Sequence, residues 1–167
     1  MQPIAIRSAT ASDISAILEL LSQDSLSNPP EGGIPTPAHH VAFDAISADH
    51  NHELIVATLD DQIVGTLQIS FIPGLAFNGA WRAQIEGVRV RAGLRNLRIG
   101  TQLMEWVIAR ARERNCLLIQ LTSNRSRVDA QRFYSRLGFK TSHVGMKLRL
   151  DVTSDISDKS ESHAAPQ

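Results

Sequence analysis

The chain has 167 residues, 43% of them hydrophobic and 20% charged, with a formal net charge of zero and one cysteine. That length favours one domain with a sizeable core, and no apolar run reaches the roughly 18–20 residues needed to span a bilayer. The start, Met1-Gln2-Pro3-Ile4-Ala5-Ile6-Arg7, lacks a basic segment followed by an apolar one, and Cys116 alone cannot close an intrachain disulfide, so a cytoplasmic location is expected.

In chain order, Ile4 opens a short strand, and Thr10 with Asp13 three residues on forms a capping signal before Ile14, Ile17, Leu18 and Leu21 at helical spacing. Ser27 to Gly33 is a breaker cluster. Thr36-Pro37 then starts a second helix with Val41, Ala42, Ala45 and Ile46 on one face. Residues 53–59 and 62–72 read as a hairpin joined through Asp60-Asp61, which Pro73-Gly74 ends. A strand over 80–90 leads through a polar loop to a helix over 100–115 with Leu103, Val107 and Ala111 in one row and Met104 and Ile108 beside it. The apolar run 116–122 predicts a parallel strand covered on both faces. Ser126 is placed to cap a helix carrying Ala130, Phe133, Tyr134 and Leu137, with Gly138 at a left-handed C-terminal position.

A last strand or hairpin is expected over 140–150, closing a single domain over 1–150. The Ser-, Asp- and Ala-rich residues 151–167 imply a disordered tail. The order β-α-α-β-β-β-α-β-α-β predicts an α/β fold: a mixed, mostly antiparallel central sheet with a βαβ crossover and helices on both faces. The apolar loop at Leu75 and Phe77 calls for cover by a substrate or by a second subunit in a homodimer.

The zero net charge hides an asymmetry. Of the 17 Lys and Arg, 15 lie between Arg82 and Arg149, beside only Glu86, Glu105, Glu113 and Asp129. Between Trp81 and Trp106 there is no aromatic to stack on a base, so a phosphorylated small molecule suits this stretch better than a nucleic acid. Arginines on solvated faces are the other reading. A loop between Val90 and Gly100 aims amide N–H groups and the positive end of a helix at one place, which suits a phosphate, and Arg95 and Arg98 add charge. Glu86 is the only acid between Asp61 and Glu105. It reads either as a base or amine holder, or as one half of an ion pair with Arg82 or Arg89. No Cys/His cluster has metal spacing, and His39, His40, His50 and His52 read as solvent-exposed.

Two segments carry a resemblance. Arg95-Asn96-Leu97-Arg98-Ile99-Gly100 follows a strand ending in Val90, and Ala130-Gln131-Arg132-Phe133-Tyr134-Ser135-Arg136-Leu137-Gly138-Phe139 follows about 35 residues later, with a helix and an apolar strand between them. In both motifs and in their order the chain resembles the GNAT superfamily of N-acetyltransferases. The resemblance implies acetyl-CoA as co-substrate, held by Arg95, Asn96, Leu97, Arg98, Ile99, Gly100 and Thr101. It further implies that the backbone of Val88 to Val90 holds the pantetheine arm and the thioester carbonyl, and that Tyr134 is the general acid beside the sulfur. The activity implied is direct acetyl transfer, in a ternary complex, to a small-molecule or peptide primary amine, with neither metal, nucleic acid nor membrane involved. A regulatory module that binds acetyl-CoA without catalysis is the alternative. Two residues depart from the family pattern: Arg98 stands at the first glycine of the loop, and Arg127 at an asparagine before the second helix.

Overall fold

A computed structural model describes residues 4–23, 33–148 and 150, so the 151–167 tail and most of the breaker cluster lie outside the described residues. The chain divides into two compact units, Met1–Thr122 and Ser123–Gln167.

The first unit is built on a five-stranded sheet in the order β1-β2-β3-β4-β5. Its strands are β1 (Ala5–Ser8), β2 (His52–Leu59), β3 (Gln62–Ile72), β4 (Trp81–Val90) and β5 (Cys116–Leu121). The first four pair antiparallel, and β5 joins β4 in parallel. Asp60 and Asp61 connect β2 to β3 with φ of 49° and 60°. Both central residues of a type I′ hairpin need this left-handed conformation, which aspartate tolerates better than most residues.

Helix α1 (Ile14–Ser22) and helix α4 (Ile99–Glu113) cover opposite faces of the sheet. On the α1 side Ile17 and Leu20 join Val56 and Ile63 in one cluster. On the other side the buried row Ile99, Leu103, Val107 and Ala111 matches the helical period in the sequence. Gly65 of β3 lets α4 approach closely: a Cβ there would meet Leu103 Cδ1 at 2.9 Å and Arg89 O at 3.2 Å.

The start of α1 is fixed by charge. Asp13 Oδ2 accepts from Thr10 N at 2.7 Å and from Arg7 Nη1 at 2.6 Å, and Arg7 Nη2 reaches Oδ1 at 3.0 Å. The Arg7 hydrogen bonds hold the Asp13 carboxyl at about 2, against the opposing effect of burial and with help from Thr10. A carboxyl depressed from an ordinary 3.8 stabilises the fold above pH 4, and this contribution disappears as pH falls through about 2. Asp13→Asn is therefore expected to cost about 2 kcal/mol at pH 7 in denaturant unfolding, with the gap to wild type closing between pH 4 and pH 2.

Helix α2 (Pro37–Ala48) begins as expected at Thr36-Pro37, and His39 completes its cap: Nδ1 accepts from Thr36 N at 3.0 Å. Its inward face differs from the one expected. Val41, Ala42 and Ala45 are exposed, and His39, Phe43 and Ile46 turn partly inward. None of its residues is fully buried, so the sparse apolar residues left the phase of the helix undetermined.

Strand β5 is also a correction. It pairs in parallel with β4, but Leu117 is 59% and Leu118 40% exposed, because β5 is the edge of the sheet among the described residues. The one-turn helix α3 (Ala76–Gly79), between β3 and β4, is broken by left-handed Phe77 and Asn78, and it leaves Leu75 99% and Phe77 75% exposed. No helix among the described residues is long and apolar enough to cross a membrane.

In the second unit, α5 (Val128–Arg136) begins two residues after Ser126, which does not cap it; Ser126 N and Oγ instead donate to Asn124 Oδ1. Its end matches the sequence reading. Phe139 N donates to Tyr134 O at 3.1 Å and Gly138 N to Ser135 O at 3.0 Å, with Gly138 at φ 94°. This pair of bonds is a Schellman motif, which needs a residue tolerant of positive φ at Gly138. Among the described residues the last strand expected over 140–150 is not formed. Val144, Met146, Leu148 and Leu150 alternate at strand period but are exposed, and among the described residues they have no ladder partner.

Candidate active site

Strand β4 is interrupted by a bulge. Gln68 pairs with Glu86 and Thr66 with Arg89, so Gly87 and Val88 stand together opposite Leu67. Gly87 supplies the positive φ, 62°, that this geometry requires. Beyond that point β4 also leaves β5. Their ladder ends at Ile85 with Leu121, so among the described residues the β5-facing edge of residues 86–90 has no strand partner. A polar chain lying along this edge could bond to backbone groups that a sheet ordinarily consumes.

The turn after β4 is tied down by side chains. Arg91 N donates to Val64 O, while its guanidinium donates to Ile63 O at 2.8 Å and lies 3.5 Å from Glu19. Gln23 Oε1 accepts from Ala92 N at 3.2 Å. A 3-10 turn over Arg95–Leu97 follows, and α4 starts at Ile99. Arg98, standing where the family has glycine, takes the conformation a glycine would: φ 60°, ψ 14°. The loop therefore keeps its left-handed hinge in spite of the substitution, at a cost of about 1–2 kcal/mol for an L-residue.

The first N–H groups of α4, at Ile99, Gly100 and Thr101, lack intrahelical acceptors and together with the helix dipole suit an anion. Arg95 and Arg98 are exposed beside them, and Leu97, Val88 and Val90 are half-buried. The Ile99 side chain is wholly buried against Gly65, so only its backbone is available to a ligand. Asn96 sits within the 3-10 turn. These loop residues thus form one continuous strand, turn and helix start. A phosphorylated cofactor of the acetyl-CoA type fits this geometry.

Other arginines of the basic stretch are structural. Arg110 holds Glu53 at 2.7 Å, and Arg114 bonds His50 O and Asn51 Oδ1 while lying 4.5 Å above the Phe71 ring.

Glu86 is exposed on β4 and has no hydrogen bond or ion pair among the described residues. The ion pair with Arg82 or Arg89 is therefore not formed. On the same face a network corrects the reading of His52 as solvent-exposed, since the residue is half-buried and joined to Ser70 and Asp49. His52 Nδ1 and Ser70 Oγ are 2.8 Å apart, and His52 Nε2 lies 3.6 Å from Asp49 Oδ2. Asp49 is held below its usual range, first by the Asn51 N–H and then by His52 and His50. Burial pushes the Cys116 thiol up, as suits an unreactive side chain. Among the described residues no group of His, Cys, Asp and Glu could hold a metal.

Tyr134 belongs to the second unit, on α5, half-buried between Phe133 and Phe139. The ring centroids lie 5.2 and 5.8 Å away, both edge to face.

Residues 16–139 match the model of the acetyltransferase (GNAT) family. The chain is 30% identical over 138 residues to the aminoalkylphosphonate N-acetyltransferase of Salmonella typhimurium strain LT2, covering 83% of this chain and 86% of that one. It is 45% identical to a transcriptional regulator from Bacillus halodurans C-125 of known crystal structure, with a TM-score of 0.82 over 88% of this chain and 99% of that one. The glucosamine-6-phosphate N-acetyltransferase of Arabidopsis thaliana, 20% identical, shares the fold with a TM-score of 0.75 over 90% of this chain and all of that one. The match over 16–139 and the 30% identity to an N-acetyltransferase agree with a strand that parts from its neighbour ahead of a helix start suited to an anion: the chain belongs to the GNAT family and is an N-acetyltransferase.

Proposed function

We propose that this enzyme transfers an acetyl group from acetyl-CoA directly to a small primary amine, with both substrates bound together. The observation that carries this reading is Glu86, an unpartnered carboxylate at the point where β4 parts from β5. Acetyl-CoA supplies an activated thioester. The N–H groups of Arg98 to Thr101, with the Arg95 and Arg98 guanidinia, bind its phosphates, and the backbone of Val88 to Val90, past the end of the β5 ladder, orients its arm.

An amine with a pKa near ~10 arrives protonated at pH 7. Glu86 attracts the cation and takes its proton, directly or through water. The Tyr134 hydroxyl gives its proton on the thiolate side. The acceptor of the Salmonella relative, an aminoalkylphosphonate, is the first class to test.

The regulatory alternative draws on the name of the Bacillus halodurans protein, and one assay separates the two. Release of CoA thiol from acetyl-CoA should depend on added amine and saturate with it. Thiol release indifferent to every amine in a panel of aminoalkylphosphonates, amino acids and polyamines, with CoA still bound, would overturn the transfer reading.

A further inference from the structure

On β4 the side chains of Arg82, Gln84 and Glu86 alternate with buried Ala83 and Ile85, and so share one face of the sheet. By register they stand beside Ile72, Ser70 and Gln68 of β3, and Arg82 and Gln84 stand beside Leu118 and Gln120 of β5. Their alternation with the buried residues is that of a sheet with one solvated face, and on that face a cation, an amide and an anion follow in succession.

Neither charge is neutralised by the protein. Arg82 and Glu86 are both exposed, and neither has a hydrogen bond or ion pair among the described residues. The charges of Arg7, Glu53, Arg91 and Arg110 are all paired. Gln84, between the two free charges, is held in place: Gln120 Nε2 donates to its Oε1 at 2.8 Å, and its own Nε2 donates to Ile85 O at 3.3 Å.

Four residues of strand separate Arg82 from Glu86 by about 13 Å, so side chains standing perpendicular to the sheet do not meet. Allowing ~3 Å for a hydrogen bond at each end leaves about 7 Å between them. Arg82 also lines a recess of about 50 Å³ with Phe77, Trp81, Leu117 and Leu118, which gives the far end of a ligand an apolar wall.

We propose that this face of β4 is the acceptor site and that it selects an amine carrying an anionic group at its other end, with the ammonium at Glu86 and the anion at Arg82. The proposal rests on the acetyl-transfer reading for its chemistry but not for its binding.

The test uses matched pairs on the full chain: 4-aminobutyrate against butylamine, and 3-aminopropylphosphonate against propylamine. Thiol release gives kcat/KM, and calorimetry with CoA present gives affinity. The anionic member of each pair is expected to be favoured by about 10-fold or more in both readouts, the scale of a charge-assisted hydrogen bond. Arg82→Gln should bring each ratio to about one, and Arg82→Glu should invert it. Arg82 is exposed, so unchanged melting temperatures are expected of both variants. A wild-type ratio near one, or a preference that survives Arg82→Gln, overturns the anion site. Selective binding without turnover supports the site and overturns acetyl transfer, whereas turnover without selectivity does the reverse.

Discussion

Tyr134→Phe is expected to lower kcat by roughly 10²–10⁴-fold, the range of a lost general acid, with CoA affinity and melting temperature close to wild type. The substitution removes one hydroxyl and keeps the ring. The edge-to-face contacts with Phe133 and Phe139 depend on that ring, and the Schellman bond depends on the Tyr134 carbonyl, so neither is lost. Single-turnover thiol release is the measurement that checks it, because it isolates the chemical step from product release. Wild-type rates in the variant would remove the hydroxyl from the chemistry and leave expulsion of the thiolate to water or backbone donors.

The second large effect is expected of Glu86→Gln. The variant keeps the size and polarity of the side chain but cannot accept a proton from an ammonium. Turnover at pH 7 should fall by about 10²-fold, and the deficit should shrink above roughly pH 9, where a growing share of the amine is already the free base. Because Glu86 is exposed and unpaired, stability should change by less than about 0.5 kcal/mol. A pH-independent loss of activity would assign Glu86 to holding the amine rather than deprotonating it. A large fall in melting temperature would make it structural.

Local chemistry was readable in the sequence. The Asp60-Asp61 turn, the Thr10–Asp13 cap, the buried row of α4 and the Gly138 terminus each depend on residues within a few positions of one another, and each is present. What depends on a distant neighbour was not. The sequence marks β5 as apolar without revealing that it is an edge, and Val144, Met146, Leu148 and Leu150 keep a strand period without a partner among the described residues.

At the site, the loop was legible through its motif, and Arg98, at the position of the family's glycine, adopts the left-handed conformation a glycine would. The contact of His52 with Ser70 was hidden for a definite reason. A two-residue turn pairing Leu59 with Gln62 would, by regular counting, bring His52 opposite Ile69. An irregularity at Ala57 and Thr58 shifts the ladder by one, so His52 meets Ser70 and faces the polar side. The signal that could have found it is the polar alternation of Gln68 and Ser70 on β3, which asks for a polar neighbour on the same face.

The bulge at Gly87 divides β4 into two reading frames. Ahead of it the even-numbered residues Arg82, Gln84 and Glu86 look toward the α1 side; after it the odd-numbered Arg89 does, and Val90 turns to the α4 side with Gly65. Were the bulge straightened with all its residues kept, Gly87 alone would stand opposite Leu67 and Arg89 opposite Gly65, beneath the wholly buried Ile99 and Leu103, where a guanidinium has no water. A single-residue insertion on either side would invert one half of the strand and spare the other. The length of β4 is therefore constrained by parity: relatives of this chain can lengthen or shorten either half by two residues without moving a side chain across the sheet, but not by one.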